Sequence, residues 1–189
     1  MSLTSRPKAA HIRQLSRYFL WLTTSVICLL PLSALGFVVQ IWMAPSGQQG
    51  ILSFFSHTSD VQGMMDLARQ GIAHEYRWMA TTFVLLSSTC IVWIFIQLNN
   101  MLVFFYQGEI FNRQALRCAQ TGFWVYLAWT FGIYSVQLIA IILTSGSAQL
   151  WTNFADSLFV ELVNLGIAKL LVWALEIGTE LNEDAALVI

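Results

Sequence analysis

The stretch that decides the fold runs from Trp78 to Gly108 and reads WMATTFVLLSSTCIVWIFIQLNNMLVFFYQG. It contains no charged residue, and it is longer than the roughly 20 residues that an α-helix needs to cross the hydrocarbon core of a bilayer. Two further charge-free stretches lie between Arg17 and Asp60 and between Arg117 and Asp156. Three membrane-spanning helices follow directly from these gaps.

A fourth span is predicted near the C-terminus, where the chain is apolar apart from Glu161, Asn164 and Lys169. The first span is read as a permanent anchor, because its apolar stretch is much longer than the roughly 7 to 15 residues of a signal peptide. The sequence therefore predicts an all-α integral membrane protein with four transmembrane helices in a single membrane domain over residues 1–189. The spans are placed near 18–43, 78–105, 118–143 and 158–175, with an outer loop at 44–77, a cytoplasmic connection at 106–117 and a cytoplasmic tail at 176–189.

The composition supports this class of protein. Of 189 residues, 57% are hydrophobic and 10% are charged, and the mean hydropathy is +0.66. A soluble domain usually carries about 25% charged residues, so this chain cannot cover a surface that faces water. The formal net charge of −1 excludes the strongly basic profile of a nucleic-acid binder. We expect the lipid bilayer as a partner and no direct contact with nucleic acid.

The distribution of Lys and Arg predicts the orientation. Six of these residues flank the spans in the N-terminal segment and in the connection at 106–117, against two, Arg69 and Arg77, in the loop at 44–77. Positive residues accumulate on the cytoplasmic side of short loops. Both termini are therefore predicted to be cytoplasmic.

The loop at 44–77 is predicted to open with a turn and to continue into a short amphipathic helix. The helix is indicated by the spacing of Val61, Met64, Met65, Leu67 and Ala68. Two arrangements fit this pattern equally: a helix lying on the membrane surface, and an element that covers the mouth of the bundle.

The sequence lacks the motifs of common catalytic sites, since it has no GxxxxGK, GxSxG or HExxH pattern. The three cysteines, Cys28, Cys90 and Cys118, are scattered, and the loop residues His57, Asp60, Asp66, His74 and Glu75 do not follow the spacing of a tetrahedral metal site. We expect no enzymatic activity, no metal and no cofactor.

Mildly polar side chains inside the spans are predicted to bond to their own helix or to a neighbouring one. They are Thr81, Thr82, Ser87, Ser88, Thr89 and Gln137.

Charged groups in the fourth span are costly in hydrocarbon and form one stripe at about 100° per residue. The stripe consists of Glu161, Asn164, Lys169 and Glu176. One interpretation is a site for an ion, a proton or a polar ligand; the other is a structural stripe whose end groups reach the interfaces. For Lys169 we expect an inward orientation, with Glu176 as a partner on one side and Asn164 or a polar group of another helix on the other.

The C-terminal residues after the fourth span are acidic and would benefit from cationic partners, because carboxylates oppose the dipole at a helix C-terminus. The simpler alternative is an exposed acidic tail whose charges are screened by salt. We expect Glu176 or Glu180 to lie near Arg113 or Arg117. The predicted cytoplasmic contact set is Arg113, Arg117, Glu180 and Glu183.

Two stretches, GEIFNRQALR at 108–117 and ELNEDAALVI at 180–189, carry a family resemblance. With four spans in a chain of this size, they resemble the bacterial family catalogued as domain of unknown function two-nine-seven-five. The resemblance covers essentially the whole chain, which departs from many relatives in its long loop at 44–77. It implies a multi-pass protein of the bacterial inner membrane without established activity, in a family some of whose members are encoded beside small helix-turn-helix regulators.

Two functions follow as hypotheses. The first is a non-enzymatic membrane protein that binds a partner at its cytoplasmic face, either a regulator or another membrane subunit, with a homo-oligomer as a further option. The second is a small transporter or ligand-binding channel subunit that uses the polar stripe of the fourth span.

Overall fold

A computed structural model of the chain describes residues 6–45, 47, 50–58, 61–109, 111–145 and 147–187, with the side chains of 6–13, 61 and 186–187 left aside. These residues form α-helices and one short 3-10 helix, and no strand occurs among them. In chain order the helices are α1 (Arg6–Met43), α2 (Ile51–Ser56), α3 (Val61–Gln70), the 3-10 helix (His74–Tyr76), α4 (Arg77–Gln107), α5 (Arg113–Leu143) and α6 (Ala148–Leu187).

Within the described part of the chain, four helical segments are long and apolar enough to cross a membrane: Gln14–Met43, His74–Gln107, Arg113–Leu143 and Ala148–Ala185. Their surfaces carry large apolar side chains, such as Trp21, Phe131 and Phe159, which are 76%, 74% and 69% exposed. A water-soluble protein does not expose apolar surface on this scale. The predictions of an all-α fold and of four helices able to span a bilayer are confirmed.

The bounds of the last helix differ from the prediction. α6 begins at Ala148 rather than near 158 and continues to Leu187, so that most of the predicted tail at 176–189 is helical. Its start is fixed by Ser147, whose hydroxyl accepts a hydrogen bond from the Leu150 amide at 3.4 Å, as at a helix N-cap. Glu, Leu and Ala residues beyond 175 are strong helix formers and carry the helix past its apolar part.

The turn between α4 and α5 is short because both helix ends are capped. Gly108 has a φ of +87° and ends α4; its amide bonds to Phe105 O at 3.1 Å and the Glu109 amide bonds to Phe104 O at 2.9 Å. This pair of bonds is a Schellman motif. At the start of α5, Asn112 Oδ1 accepts a hydrogen bond from the Gln114 amide at 3.0 Å. The link between the two helices covers 108–112, inside the predicted cytoplasmic connection at 106–117.

The contacts of the chain group its residues into two compact units. The first unit comprises Met1–Leu29, Ile91–Tyr126 and Leu165–Ile189, and the second comprises Leu30–Cys90 and Leu127–Asn164. Each is described separately below, and the single membrane domain stays a prediction.

In the second unit a buried cluster joins the ends of α1 and α4 to the short helices between them. Its fully buried members are Ile41, Phe54, Ala68, Ile72 and Ala80. The apolar face of α3 therefore packs against other parts of the chain. The predicted amphipathic helix is confirmed, and its packing favours an element that covers the neighbouring helices.

Arg77, the first residue of α4, holds the end of α1. Its side chain is buried, and its guanidinium donates hydrogen bonds to the carbonyl oxygens of Trp42 at 3.0 Å, Ala44 at 2.8 Å and Ile72 at 3.3 Å. The last carbonyls of a helix have no partner within the helix, and a cation at this end favours the helix dipole. Arg77 satisfies both requirements for α1.

The backbone passes closest to itself beside this cap. A Cβ atom on Gly71, where φ is +91°, would lie 2.0 Å from Pro45 O, and one on Gly47 would lie 2.0 Å from Gly71 O. Only glycine fits at these two positions.

Five of the six mildly polar side chains named in the sequence analysis have partners of the predicted kind. Thr82, Ser87 and Thr89 each donate to the carbonyl four residues earlier, at 2.6 to 2.9 Å. Thr81 Oγ1 accepts from Trp42 Nε1 at 3.0 Å, and Gln137 Nε2 donates to Ser56 O at 3.1 Å. These groups serve helix packing.

We predict that Arg77→Met lowers the free energy of unfolding by about 2 to 4 kcal/mol, because three carbonyl oxygens lose a charged donor. Arg77→Lys should recover only part of this loss, since an ammonium cannot reproduce the guanidinium fork. Unfolding in detergent, followed by fluorescence, measures the effect. The control is Arg69→Met on the exposed face of α3, for which we expect the free energy of unfolding to change by no more than about 0.5 kcal/mol. Equal losses of stability for Arg77→Met and Arg69→Met would contradict the role given to Arg77.

Candidate functional site

The strongest concentration of polar contacts in the first unit lies where the α4–α5 connection meets the end of α6. The tight turn at 108–112 places Phe111 in the connection and Arg113 at the first position of α5. A Cβ atom on Gly178 would lie 2.2 Å from Phe111 Cε1, so the Phe111 ring rests directly on the α6 backbone. Asn182 adds a hydrogen bond from its side-chain amide to Phe111 O at 3.4 Å.

An ion pair fixes the next turn of both helices. Arg113 Nε and Nη2 donate to the two carboxylate oxygens of Glu183, at 2.5 and 2.6 Å. This two-bond geometry fixes orientation as well as distance. The side chains are 73% and 39% exposed, so the pair positions α6 and contributes little to stability.

The carboxylate in this pair is Glu183, whereas the sequence led us to expect Glu176 or Glu180. The reason is the packing of the Phe111 ring against Gly178. This contact sets the register between α5 and α6 and brings the first turn of α5 opposite Asn182 and Glu183. Glu180 and Arg117 are exposed, and neither takes part in an ion pair within the described ranges. Of the predicted contact set, the structure joins Arg113 to Glu183 and leaves Arg117 and Glu180 apart.

A pocket of about 640 Å³ opens between the connection and α6, and we call it the connection pocket. Within it Asn112 Nδ2 donates to Glu109 Oε2 at 2.8 Å, which holds that carboxylate at the rim. The pocket is lined by Gly108, Glu109, Phe111, Asn112, Arg113, Asn182 and Glu183.

The predicted stripe of α6 divides between the two units. In the first unit Lys169 is exposed, and its ammonium lies 5.6 Å from the centre of the Phe123 ring. This is a cation–π contact. In the described part of the chain no ion pair joins Lys169 to Glu176. The predicted inward Lys169 and its pairing with Glu176 are therefore wrong, because an aromatic face on α5 takes the place of the carboxylate.

In the second unit, Glu161 has polar neighbours on two helices. Thr130 Oγ1 lies 3.4 Å from Glu161 Oε1, and Asn164 Nδ2 lies 3.4 Å from Glu161 Oε2. Since α6 begins at Ala148, Glu161 lies about 20 Å along the helix from its start. These contacts of Glu161 are with α5 and with its own helix, and its reach to the membrane interface stays a prediction.

The candidate metal ligands of the loop are dispersed. His57 Nδ1 lies 3.0 Å from Ser53 O, Asp66 pairs with Arg69 at 3.7 Å, and His74 packs edge-on against Trp42. Asp60 lies outside the described residues. Among those that are described, no group of three or more His, Cys, Asp or Glu side chains could hold a metal ion.

An apolar groove of about 600 Å³ also lies in the first unit, between α4, α5 and α6. Phe111 lies at its wall, as do Gly122, Phe123 and the half-buried Cys118. Such a lining can hold hydrocarbon and offers little to orient a polar substrate.

The sequence analysis did not identify Gly178 as a packing site, and it did not predict that the Phe111 ring packs on α6. An isolated glycine inside a helical pattern often has a packing reason, and Gly178 is such a glycine. The signal was therefore present, although nothing in the sequence named the ring that covers it.

Comparison with known proteins finds no matching family model, no matching curated protein and no matching solved structure.

We predict that Arg113→Glu and Glu183→Arg each increase amide hydrogen exchange at residues 111–117, because the charge pair that positions the start of α5 is lost. The double variant should restore protection, since it rebuilds the pair with opposite polarity. The same three variants at Arg117 and Glu180 are the control, and there the effects should add. Unchanged exchange in both single variants would mean that Phe111 alone holds the connection.

Proposed function

We propose that this chain is a non-enzymatic, multi-pass protein of the bacterial inner membrane that binds a protein partner at its cytoplasmic face, through the connection pocket. The observation that carries the proposal is the pocket itself, whose backbone is held in place on both sides. Phe111 is seated on Gly178 and Arg113 is held by Glu183. A surface ordered in advance loses less conformational entropy when a partner binds.

The chemistry around the pocket suits recognition of a folded polar surface. Glu109, Arg117, Glu180 and Asp184 are all exposed at this end of the first unit. Exposed charges of both signs set the register and orientation of an interface more than its affinity. The partner is a regulator or another membrane subunit, as the family resemblance implies, or a second copy of this chain.

The cytoplasmic assignment rests on the six Lys and Arg residues that flank this side against the two on the other. The four candidate spans among the described residues support this assignment, because an even number of crossings returns the chain to the side on which it started. The bacterial inner membrane comes from the family resemblance alone.

Transport through the α6 stripe is the weaker hypothesis. Asn164 and Lys169 are exposed on this chain, and Lys169 lies over an aromatic ring. A pathway would need several copies to enclose these groups, whereas the connection pocket is complete within one chain.

We predict that reporter fusions at Ile189 and between Gly47 and Gly50 report opposite sides of the membrane, with Ile189 in the cytoplasm. The physical reason is the asymmetry of Lys and Arg. Alkaline phosphatase and a fluorescent protein are suitable reporters. A fusion at Ile189 that reports the outer side would overturn the orientation.

We predict that the tagged full chain, taken from native membranes in mild detergent, carries a companion protein or a second copy. Glu109→Arg should reduce the recovered companion at least several-fold, because it reverses the charge at the rim of the pocket. Asp66→Arg, also exposed but on α3, should leave recovery unchanged. A clean monomer in several detergents, or equal recovery for both variants, would count against partner binding at this pocket.

A further inference from the structure

Two shallow troughs on the surface of α1 share the side chains of Arg17 and Trp21. The first, of about 460 Å³, is lined by Gln14, Arg17, Tyr18 and Trp21, and we call it the polar trough. The second, of about 530 Å³, is lined by Arg17, Leu20, Trp21, Thr24, Ser25, Cys28 and Leu29, and we call it the apolar trough. Both lie in the first unit, and neither includes a residue of the connection pocket.

Arg17 supplies a positive charge at the junction of the troughs. Its side chain is exposed and forms no ion pair within the described residues. Arg13 and Arg6 occur four and eleven residues earlier in the same helix, positions that share a helix face with Arg17. Basic residues that adjoin a membrane span in this way attract anionic lipid head groups.

The aromatic residues place this junction at the boundary between head groups and hydrocarbon. Tyr18 and Trp21 are 67% and 76% exposed, and such amphipathic rings collect at membrane interfaces. The polar trough, with its amide, guanidinium, hydroxyl and indole N–H groups, then lies at the level of the head groups. The apolar trough continues into the hydrocarbon along a helix that has no charge from Tyr18 to Met43.

The hydroxyl groups in the apolar trough already have partners, so an alkyl chain can cover them without a desolvation cost. Ser25 Oγ donates to Trp21 O at 2.9 Å, and Thr24 Oγ1 donates to Asn99 Oδ1 at 3.4 Å. The remaining lining between Leu20 and Leu29 is apolar, and small side chains at 24, 25 and 28 leave the space open.

We propose that this face of α1 binds one anionic diacyl phospholipid, with its phosphate at Arg17 in the polar trough and an acyl chain in the apolar trough. The occupant is argued from charge complementarity, because Arg17 has no acidic partner among the described residues and adjoins a trough lined mostly by apolar side chains. A zwitterionic phospholipid would bring its own cation to Arg17 and bind more weakly. This proposal is independent of the cytoplasmic partner.

Native mass spectrometry of the full chain in detergent tests the proposal, with phosphatidylglycerol and phosphatidylcholine of identical acyl chains added in equal amounts. We expect one retained phosphatidylglycerol, favoured over phosphatidylcholine by about fivefold or more. Arg17→Gln should abolish most of this preference, and Arg17→Lys should keep it. Arg69→Gln, which removes an exposed charge on α3, is the control and should behave like the wild type.

A second pair of variants tests the acyl site without changing charge. Cys28→Phe fills the apolar trough and should reduce lipid retention several-fold, whereas Leu32→Phe, at an exposed position one turn further along α1, should not.

Four results would overturn the proposal. The first three are equal retention of the two lipids by the wild type, equal effects of glutamine at 17 and 69, and a dimer that forms in place of lipid binding. Retention of added oleate in place of phosphatidylglycerol would also overturn it, since the site would then belong to a fatty acid.

Discussion

The helix ends are the points on which this structure depends. A helix that crosses a bilayer satisfies its own backbone except at its termini, where amide and carbonyl groups need other partners. Among the described residues, four termini of the long helices have specific partners. Arg77 bonds the last carbonyls of α1, Gly108 closes α4, Asn112 opens α5 and Ser147 opens α6.

The proposed partner site follows from the way these caps position the neighbouring side chains. Because Gly108 and Asn112 end one helix and begin the next within a few residues, Phe111 has little freedom and is held against Gly178. Arg113 then donates two hydrogen bonds to the carboxylate of Glu183. A short, capped connection is therefore an ordered polar surface, which distinguishes it from a flexible cytoplasmic loop. The N-terminal part of α1 offers the contrasting case, in which Arg17 has no ion-pair partner in the described part of the chain and the bilayer supplies one in our proposal.

Charged and polar groups inside the long helices show how context decides the outcome for one residue type. Arg113 is paired with a carboxylate, Arg77 with backbone carbonyls, and Lys169 with an aromatic ring. Each arrangement places negative electrostatic potential next to the cation. The sequence shows the need for a partner at each position but does not distinguish among carboxylate, carbonyl and ring, because all three occur on neighbouring helices.

The sequence by itself determined the class of fold, the number of long apolar helices, the caps at Gly108 and Asn112, and the local bonding of Thr82, Ser87 and Thr89. These features depend on composition and on contacts within a few residues, which a linear pattern records. Only the tertiary structure decided that Glu183 rather than Glu176 or Glu180 meets Arg113, that Lys169 lies over Phe123, and that Arg77 caps α1. Each of these contacts joins residues from different helices, and their register is set by packing such as that of Phe111 on Gly178. A shift of one residue between two helices turns a side chain by about 100° around its axis, so the identity of a partner on another helix cannot be read from spacing along the chain.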